Sequence, residues 1–493
     1  MSTNKSDHNW KTLDRDLGRI ASFESATLYV AKPLVGLGIA LVFILLAGLA
    51  ASVLFGGTST SYVVIAAAAV GAYMAVNIGA NDVANNMGPA VGANALTMGG
   101  AILIAALCET AGALLAGGDV VSTISKGIIN PESVSGHDVF IWAMMAALIS
   151  SALWVNLATW LGAPVSTTHA VVGGVMGSGI AAAGFAAVHW PTMGTIAASW
   201  VISPVLGGTI AALFLWFIKS HIIYQDDKIA AARKWVPVLI AIMAGVFATY
   251  LAMKGLKKVI DISGTTAVLT GVGVGIVTYF GAVPVVNRQS EGLENRNRSL
   301  KVLFTVPLVI SAALLSFAHG ANDVANAVGP LAAIVHAEQF GEFAGKVEIP
   351  VWVMVIGALG LSFGLVLFGP KLIRMVGNQI TKLNPMRAYC VALSAAITVI
   401  IASWLGLPVS STHIAIGGVF GVGFFREYHE EQRARLSNAT RAEAERIAPE
   451  ERRRRKLVRR SHFMTIIAAW IITVPAAALM SGLIFLVLHG VFG

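Results

Sequence analysis

The sequence predicts an all-α polytopic membrane protein: two inverted-topology repeats whose broken helices and helical hairpins meet at the midplane. Three observations predict it. The chain is 56% hydrophobic and 12% charged, with a mean hydropathy of +0.76; in a soluble domain about a quarter of the residues are charged. An eight-residue stretch occurs twice, as Gly79-Ala80-Asn81-Asp82-Val83-Ala84-Asn85-Asn86 and as Gly320-Ala321-Asn322-Asp323-Val324-Ala325-Asn326-Ala327, with seven positions identical. A second stretch, Trp160-Leu161-Gly162-Ala163-Pro164-Val165-Ser166-Thr167-Thr168-His169, returns as Trp404-Leu405-Gly406-Leu407-Pro408-Val409-Ser410-Ser411-Thr412-His413. The first pair is 241 residues apart and the second 244, so one unit occurs twice around an insert.

Composition also excludes several classes. Cys108 and Cys390 both lie in apolar runs, which argues against a disulfide framework and a zinc site. The net charge of +9 is concentrated in loops and tails, where it reads as membrane topology and not as nucleic-acid binding. Residues 1–33 are polar and mixed in charge, without the early apolar stretch of a cleavable signal.

In chain order, residues 1–33 read as a cytoplasmic segment, helical from Trp10 to Val30. Residues 34–55 are long and apolar enough to span, and stand before the repeated unit as an extra span. Repeat one covers 62–218: a span over 62–78 that runs into the first Asn-Asp motif, a span over 101–116, a polar loop over 119–138, an apolar run over 139–161 that ends in the first Ser/Thr motif, and a span over 195–218. The insert, 219–301, holds spans over 235–253 and 265–286 between charged loops. Repeat two covers 302–490. Its spans are 302–319, 350–368, 388–405 and 462–488, and its Arg- and Glu-rich loop 426–460 reads as a solvated helix on the cytoplasmic side.

Loop charge sets the relative direction of the copies. The 119–138 loop carries one cation, Lys126, while its counterpart over 369–387 carries Lys371, Arg374, Lys382 and Arg387. Cations favour the cytoplasmic side, so the two loops belong on opposite faces and the repeats are inverted. A cytoplasmic N-terminus then places the 219–234, 287–301 and 426–460 loops inside. Lys254, Lys257 and Lys258 alone run against that orientation.

The motifs carry the chemistry. In each Asn-Asp motif a carboxylate and carboxamides sit at membrane depth, beside glycine and a following Gly-Pro that are expected to interrupt the helix. Such groups are costly in hydrocarbon and face a cavity, an ion or a partner. One such motif alone reads equally well as packing glue; its duplication points to a transport site. Pro-Val-Ser-Thr-Thr-His and Pro-Val-Ser-Ser-Thr-His read as helix starts, where unpaired amides and the helix dipole favour an anion. The hydroxyls of Ser166, Thr167, Thr168, Ser410, Ser411 and Thr412 add donors. Asp82 and Asp323 read as places for a proton or a hard cation such as sodium. Glu109 has no duplicate, since aligning Gly112 with Gly364 sets Leu361 opposite it, and both a structural and a functional role are open. His169 and His413 stand next to caps, where a bond to a backbone carbonyl competes with a ligand role. No nucleophile elbow is present, so the Ser/His pairs do not read as a hydrolase and the chain is expected not to be an enzyme.

With these residues the chain resembles the inorganic phosphate transporter family, over about 62–493. The resemblance implies an inverted-repeat carrier that symports phosphate with sodium or protons. It further implies that Asn81, Asn322 and the hydroxyls of the two helix starts surround phosphate, while Asp82, Asn85, Asp323 and Asn326 serve the cation and no other cofactor is needed. Another tetrahedral oxyanion such as sulfate, or a metal–phosphate complex, stays open as cargo, and an anion channel is the alternative class. The expected partners are phosphate and the lipid bilayer of a plasma (inner) membrane, with a homodimer as an open option and no nucleic acid.

Overall fold

The computed structural model describes residues 34–55, 61–130, 133–134, 136–161, 165–255, 262–340, 349–379, 383–436 and 460–492. The expected segment 1–33, and residues 437–459 of the charged loop, lie outside the described residues. Among the described residues the chain is helical apart from turns and one isolated bridge between Ile129 and Val188. Eleven of the helices are long and apolar enough to cross a membrane.

The helices are α1 (Leu34–Phe55), α2 (Ser61–Gly92), α3 (Met98–Ala116), α4 (Gly118–Lys126), α5 (His137–Leu161), α6 (Thr167–Ala183), α7 (Trp190–Ile218), α8 (Lys228–Lys254), α9 (Gly264–Ser290), α10 (Asn297–Leu303), α11 (Thr305–Phe340), α12 (Val351–Gln379), α13 (Pro385–Trp404), α14 (Ser411–Leu436) and α15 (Arg460–Phe492). Most spans are apolar all round, as expected of helices with protein on one side and lipid on the other. Four helices are the exception in burial: the motif helices α2 and α11, and α5 and α13. The most apolar window of α11 is 83% buried and that of α2 is 67%, against 11% for α9 in the insert. The core therefore sits on the motif helices together with α13, 78% buried, and α5, 67% buried.

Matching helices of the two copies pack in swapped pairs. α2 lies along α12, and α11 lies along α3; α6 lies along α15, and α14 along α7. The contacts repeat almost atom for atom. Gly79 faces the Leu361 carbonyl and Gly320 faces the Glu109 carbonyl, while Gly112 faces the Phe317 carbonyl and Gly364 that of Val76. Where α2 and α11 cross, Gly71 meets Leu331 and Asp82 meets His319, so they run antiparallel. α5 and α6 form a hairpin, Gly174 beside Ala147 and Ser151 beside Ala170. α13 and α14 repeat it, with Gly418 beside Ser394 and Val391.

Two expectations need correction. The helix is not interrupted at the Asn-Asp motifs: α2 and α11 run straight through them, with Pro89 and Pro330 inside. Gly79 and Gly320 are small because another backbone lies against them, not because the chain breaks there; a single proline removes one helical bond, and burial on all sides holds the rest. Of the two pairs of motifs, the breaks fall at the Ser/Thr motifs alone, where the helix starts were expected. After α13 the chain turns through Gly406 at φ +68°, with Gly406 N donating to Ser403 O at 3.1 Å and Leu407 N to Ala402 O at 2.9 Å. That is a Schellman stop, which needs glycine at the left-handed position. The second correction concerns loops. The 119–138 stretch contains α4 and the 369–387 stretch begins as the end of α12, whereas the 426–460 stretch begins as helix, the end of α14, as expected.

Of the three lysines that ran against the expected orientation, Lys257 and Lys258 lie outside the described residues and Lys254 has a partner. Lys254, at the end of α8, pairs with Asp119 of α4, so its charge is neutralised on the face it shares with the 119–138 segment. Lys301 and Arg387, from the 287–301 and 369–387 segments, line one polar cleft of about 460 Å³ with Asn94 and Thr305.

Candidate functional site

The breaks before α6 and α14 bring two helix starts together in the middle of the protein. Ser166 caps α6 by accepting from His169 N at 3.2 Å, and Ser410 caps α14 by accepting from His413 N at 3.3 Å. The starts touch: the Thr168 hydroxyl donates to the Val409 carbonyl at 3.0 Å, and the rings of His169 and His413 pack edge to face with centroids 4.7 Å apart. His169 also stacks on Trp200, whose indole donates to the Pro408 carbonyl at 3.0 Å. All six motif hydroxyls, of Ser166, Thr167, Thr168, Ser410, Ser411 and Thr412, are buried.

The motif helices hold these starts crosswise. Asn85 of α2 donates to Thr412 at 2.8 Å, and Asn326 of α11 donates to Thr168 at 3.0 Å and to Thr167 at 3.4 Å. Each aspartate also takes a hydroxyl from the helix start of its own copy, Asp82 from Thr167 at 3.1 Å and Asp323 from Ser411 at 3.3 Å. Asp82 takes a second, from Thr412 at 3.1 Å. Asn81 and Asn322 sit one turn earlier and brace the break itself. Asn81 donates to Thr159 at 2.8 Å. Asn322 donates to Ser403 at 3.0 Å and to the Leu407 carbonyl at 3.1 Å, and accepts from Val409 N at 3.2 Å. Pro89 and Pro330 lack an N–H, so the carbonyls four residues back, of Asn85 and Asn326, lose their helical donor beside the aspartates.

One residue of the cluster escaped the reading of the sequence. His319, immediately before the second motif, lies fully buried between the two copies. Its Nε2 is 2.9 Å from Asp323 Oδ2 and 3.9 Å from Asp82 Oδ2, and its Nδ1 is 3.1 Å from Glu109 Oε1. Both ring nitrogens are at ion-pair distance without an in-line hydrogen bond. Glu109 Oε1 also accepts from Asn86 at 3.0 Å. The chain Asn86–Glu109–His319–Asp323 exists on one side only. The places that match Asn86, Glu109 and His319 in the other copy hold Ala327, Leu361 and Ile78, all buried and apolar. The signal that could have found His319 is an ionisable side chain inside an apolar run.

Buried aspartates, carboxamides and hydroxyls at crossing helices, enclosed by eleven membrane-length helices, define an integral membrane transport protein. The sequence pattern of the phosphate transporter family matches residues 78–481, and the chain belongs to that family. A Helicobacter pylori protein provisionally named a phosphate permease is 44% identical, over 96% of this chain and 98% of that one. The "Inorganic phosphate transporter 2-1, chloroplastic" of Arabidopsis thaliana is 34% identical over 96% of this chain and 77% of its own length. A solved structure described as "The sodium-dependent phosphate transporter" superposes with a TM-score of 0.78 at 34% identity, and covers 87% of this chain and 100% of that one.

Proposed function

We propose that the chain is a secondary active symporter of inorganic phosphate, coupled to a monovalent cation, working by alternating access between inverted repeats. The observation that carries this reading is that the Asp82 carboxylate accepts from both helix starts, Thr167 of one copy and Thr412 of the other. A hydroxyl has one proton to give. While Asp82 is a bare carboxylate, it holds the donors that a bound anion would use. A cation at Asp82, helped by the Asn85 carbonyl, relieves the carboxylate and lets those hydroxyls turn to phosphate at the helix N-termini. Cation first, anion second, is then built into the donor arithmetic, and the coupling is reciprocal.

Thr167, Ser411 and Thr412 are the phosphate donors in this reading, with Ser166 and Ser410 as caps and Thr168, Asn81 and Asn322 as braces of the two starts. Asp82, Asp323, Asn85 and Asn326 serve the cation. The superposed transporter is described as sodium-dependent, which favours sodium over the proton as that cation. The antiparallel crossing of α2 and α11 supports the inverted arrangement, since those helices hold the same motif. Domain limits follow: 62–218 and 302–490 are the repeats, 219–301 the insert, and 34–55 an added span. The plasma (inner) membrane with a cytoplasmic N-terminus is the proposed setting. Labelled phosphate uptake into proteoliposomes, under imposed sodium or proton gradients and with sulfate as competitor, tests the reading. Accumulation driven by one gradient and resistant to sulfate is expected; no accumulation under either gradient overturns symport.

A further inference from the structure

We propose that the polar cleft between the end of α2 and the starts of α11 and α13 is a second anion site, which takes a phosphate-bearing anion on Lys301 and Arg387. Inorganic phosphate and the headgroup of an anionic phospholipid share that chemistry.

The cleft, of about 460 Å³, is lined by Lys301 and Arg387 with Asn94, Thr305 and Asn384, and among the described residues no Asp or Glu lines it. It stands apart from the transport cluster. Gly92, at the cleft, is ten residues beyond Asp82 on α2, and Thr305 is eighteen residues before Asp323 on α11. At about 1.5 Å per helical residue those separations are about 15 and 27 Å.

The acceptors around the cleft are engaged within the protein. At the end of α2 the carbonyls of Pro89, Ala90 and Val91 accept from the amides of Ala93, Ala95 and Asn94 at 3.1, 2.9 and 3.0 Å. The Lys301 carbonyl accepts from the Thr305 hydroxyl at 3.2 Å. Asn384 Oδ1 accepts from Arg387 N at 2.9 Å and from Arg387 Nε at 3.2 Å. That last bond also holds the guanidinium at the first turn of α13, where the helix dipole favours an anion. Lys301 has no ion pair among the described residues.

What the cleft presents to a ligand is therefore positive charge and N–H donors. They are an ammonium, a guanidinium fork and the carboxamide of Asn94, which stands in the left-handed region at φ +57° just past α2. A guanidinium matches two oxygens of a phosphate group, and an ammonium adds a point charge. The volume holds such a group with several waters, at about 30 Å³ each. The lining joins α2 of one copy to α11 and α13 of the other, so a bound anion holds ends of both copies together.

Purified full-length chain in detergent is titrated with labelled inorganic phosphate and, separately, with a short-chain phosphatidylglycerol. Affinity for at least one of the two should fall tenfold or more in Lys301→Gln and in Arg387→Gln, and Lys301→Arg should restore it. A loss confined to inorganic phosphate names the free ion as ligand, and a loss confined to the lipid names the headgroup. Lys371→Gln, an exposed cation outside the cleft, should leave both affinities unchanged. The binding that Lys301→Gln removes should persist in Thr412→Val, which alters the transport cluster. Should Arg387→Gln unfold, Lys301→Gln decides, because Lys301 is exposed. The site is overturned if neither anion distinguishes Lys301→Gln from the unaltered chain. Equal weakening by Lys371→Gln, or loss of the same binding in Thr412→Val, overturns it too.

Discussion

The Thr168 hydroxyl donates to the backbone carbonyl of Val409 at 3.0 Å, so the helix start of one copy is fastened to the break of the other. A carbonyl at a helix break has lost its helical partner and takes a side-chain donor instead. The two helix starts therefore do not merely lie close; they share a buried hydrogen bond. This divides the duplicated hydroxyls into two kinds, those that brace and those that face the aspartates.

That division can be measured. Thr412→Val keeps the shape and removes the donor to Asp82. A lost hydrogen bond to a charged group costs about 1.5–3 kcal/mol, which is roughly ten- to a hundredfold in affinity. Phosphate affinity should fall by that factor in Thr412→Val, and thermal stability should fall as well, because Asn85 loses its acceptor. Thr168→Val should lower thermal stability by about 1–3 kcal/mol, because the Val409 carbonyl is left buried without a donor. Equal effects of the two variants on both readouts would remove the distinction.

A sharper packing test lies at Gly320. A Cβ added there would overlap the Glu109 carbonyl oxygen, and one at Gly79 would overlap that of Leu361. Two backbones must separate to admit it, so each Gly→Ala change should cost more than the about 1–3 kcal/mol of ordinary overpacking. Gly273 and Gly281 on α9 have open space around them, and alanine there should leave the melting temperature within about a degree or two. Fluorescence-detected melting in detergent reads all four. Stable, active Gly79→Ala and Gly320→Ala proteins would mean that the swapped pairing of α2 with α12 and α11 with α3 is not as tight as described.

Much of this was legible in the sequence, and what was not has a physical reason. The spans, the doubled motifs and the unduplicated Glu109 all follow from hydropathy and alignment, which need only local order. So do the helix starts at the Ser/Thr motifs, but the break expected at the Asn-Asp motifs does not form. Gly-Pro after Asn-Asp looks like an interruption, yet α2 and α11 continue, because their glycines serve helix contact and their burial outweighs one lost bond. His319 belongs to no duplicated pattern, since its counterpart is Ile78. Its ion-pair contact with Glu109 joins residues from different copies, and no pattern within either copy contains it. The Lys254 exception likewise resolved only when Asp119 was found beside it in space.

The direction of the repeats is open to chemical labelling. In a chain lacking Cys108 and Cys390, single cysteines replace Ser133 and Thr381, from the cation-poor and cation-rich segments. An impermeant thiol reagent added to intact cells should label the first and spare the second, and the reverse should hold for inside-out vesicles. Labelling of both from one side would mean parallel repeats.

The coupling ion is the last point, and the two aspartates differ in what surrounds them. Asp82 accepts from Thr167 and Thr412, while Asp323 accepts from Ser411 and stands 2.9 Å from His319. Both carboxylates are buried, and an ionised acid at that depth needs compensation. At Asp323 an imidazole stands ready; at Asp82 the close partners are hydroxyls, the donors proposed for phosphate. Asp82→Asn keeps the size, removes the charge and turns an amide where the cation would sit. Gradient-driven accumulation of phosphate should then be lost, while weak phosphate binding that no longer responds to the cation survives on the helix-start amides. Asp323→Asn should also abolish accumulation, but His319 loses its partner there, so a fall in thermal stability should accompany it. Reconstituted variants are compared for concentrative uptake, and for the cation dependence of phosphate binding in detergent. If the acids only brace the helices, asparagine substitutes well at both places. Concentrative uptake with unaltered cation dependence in both variants would show that neither aspartate carries the coupling ion.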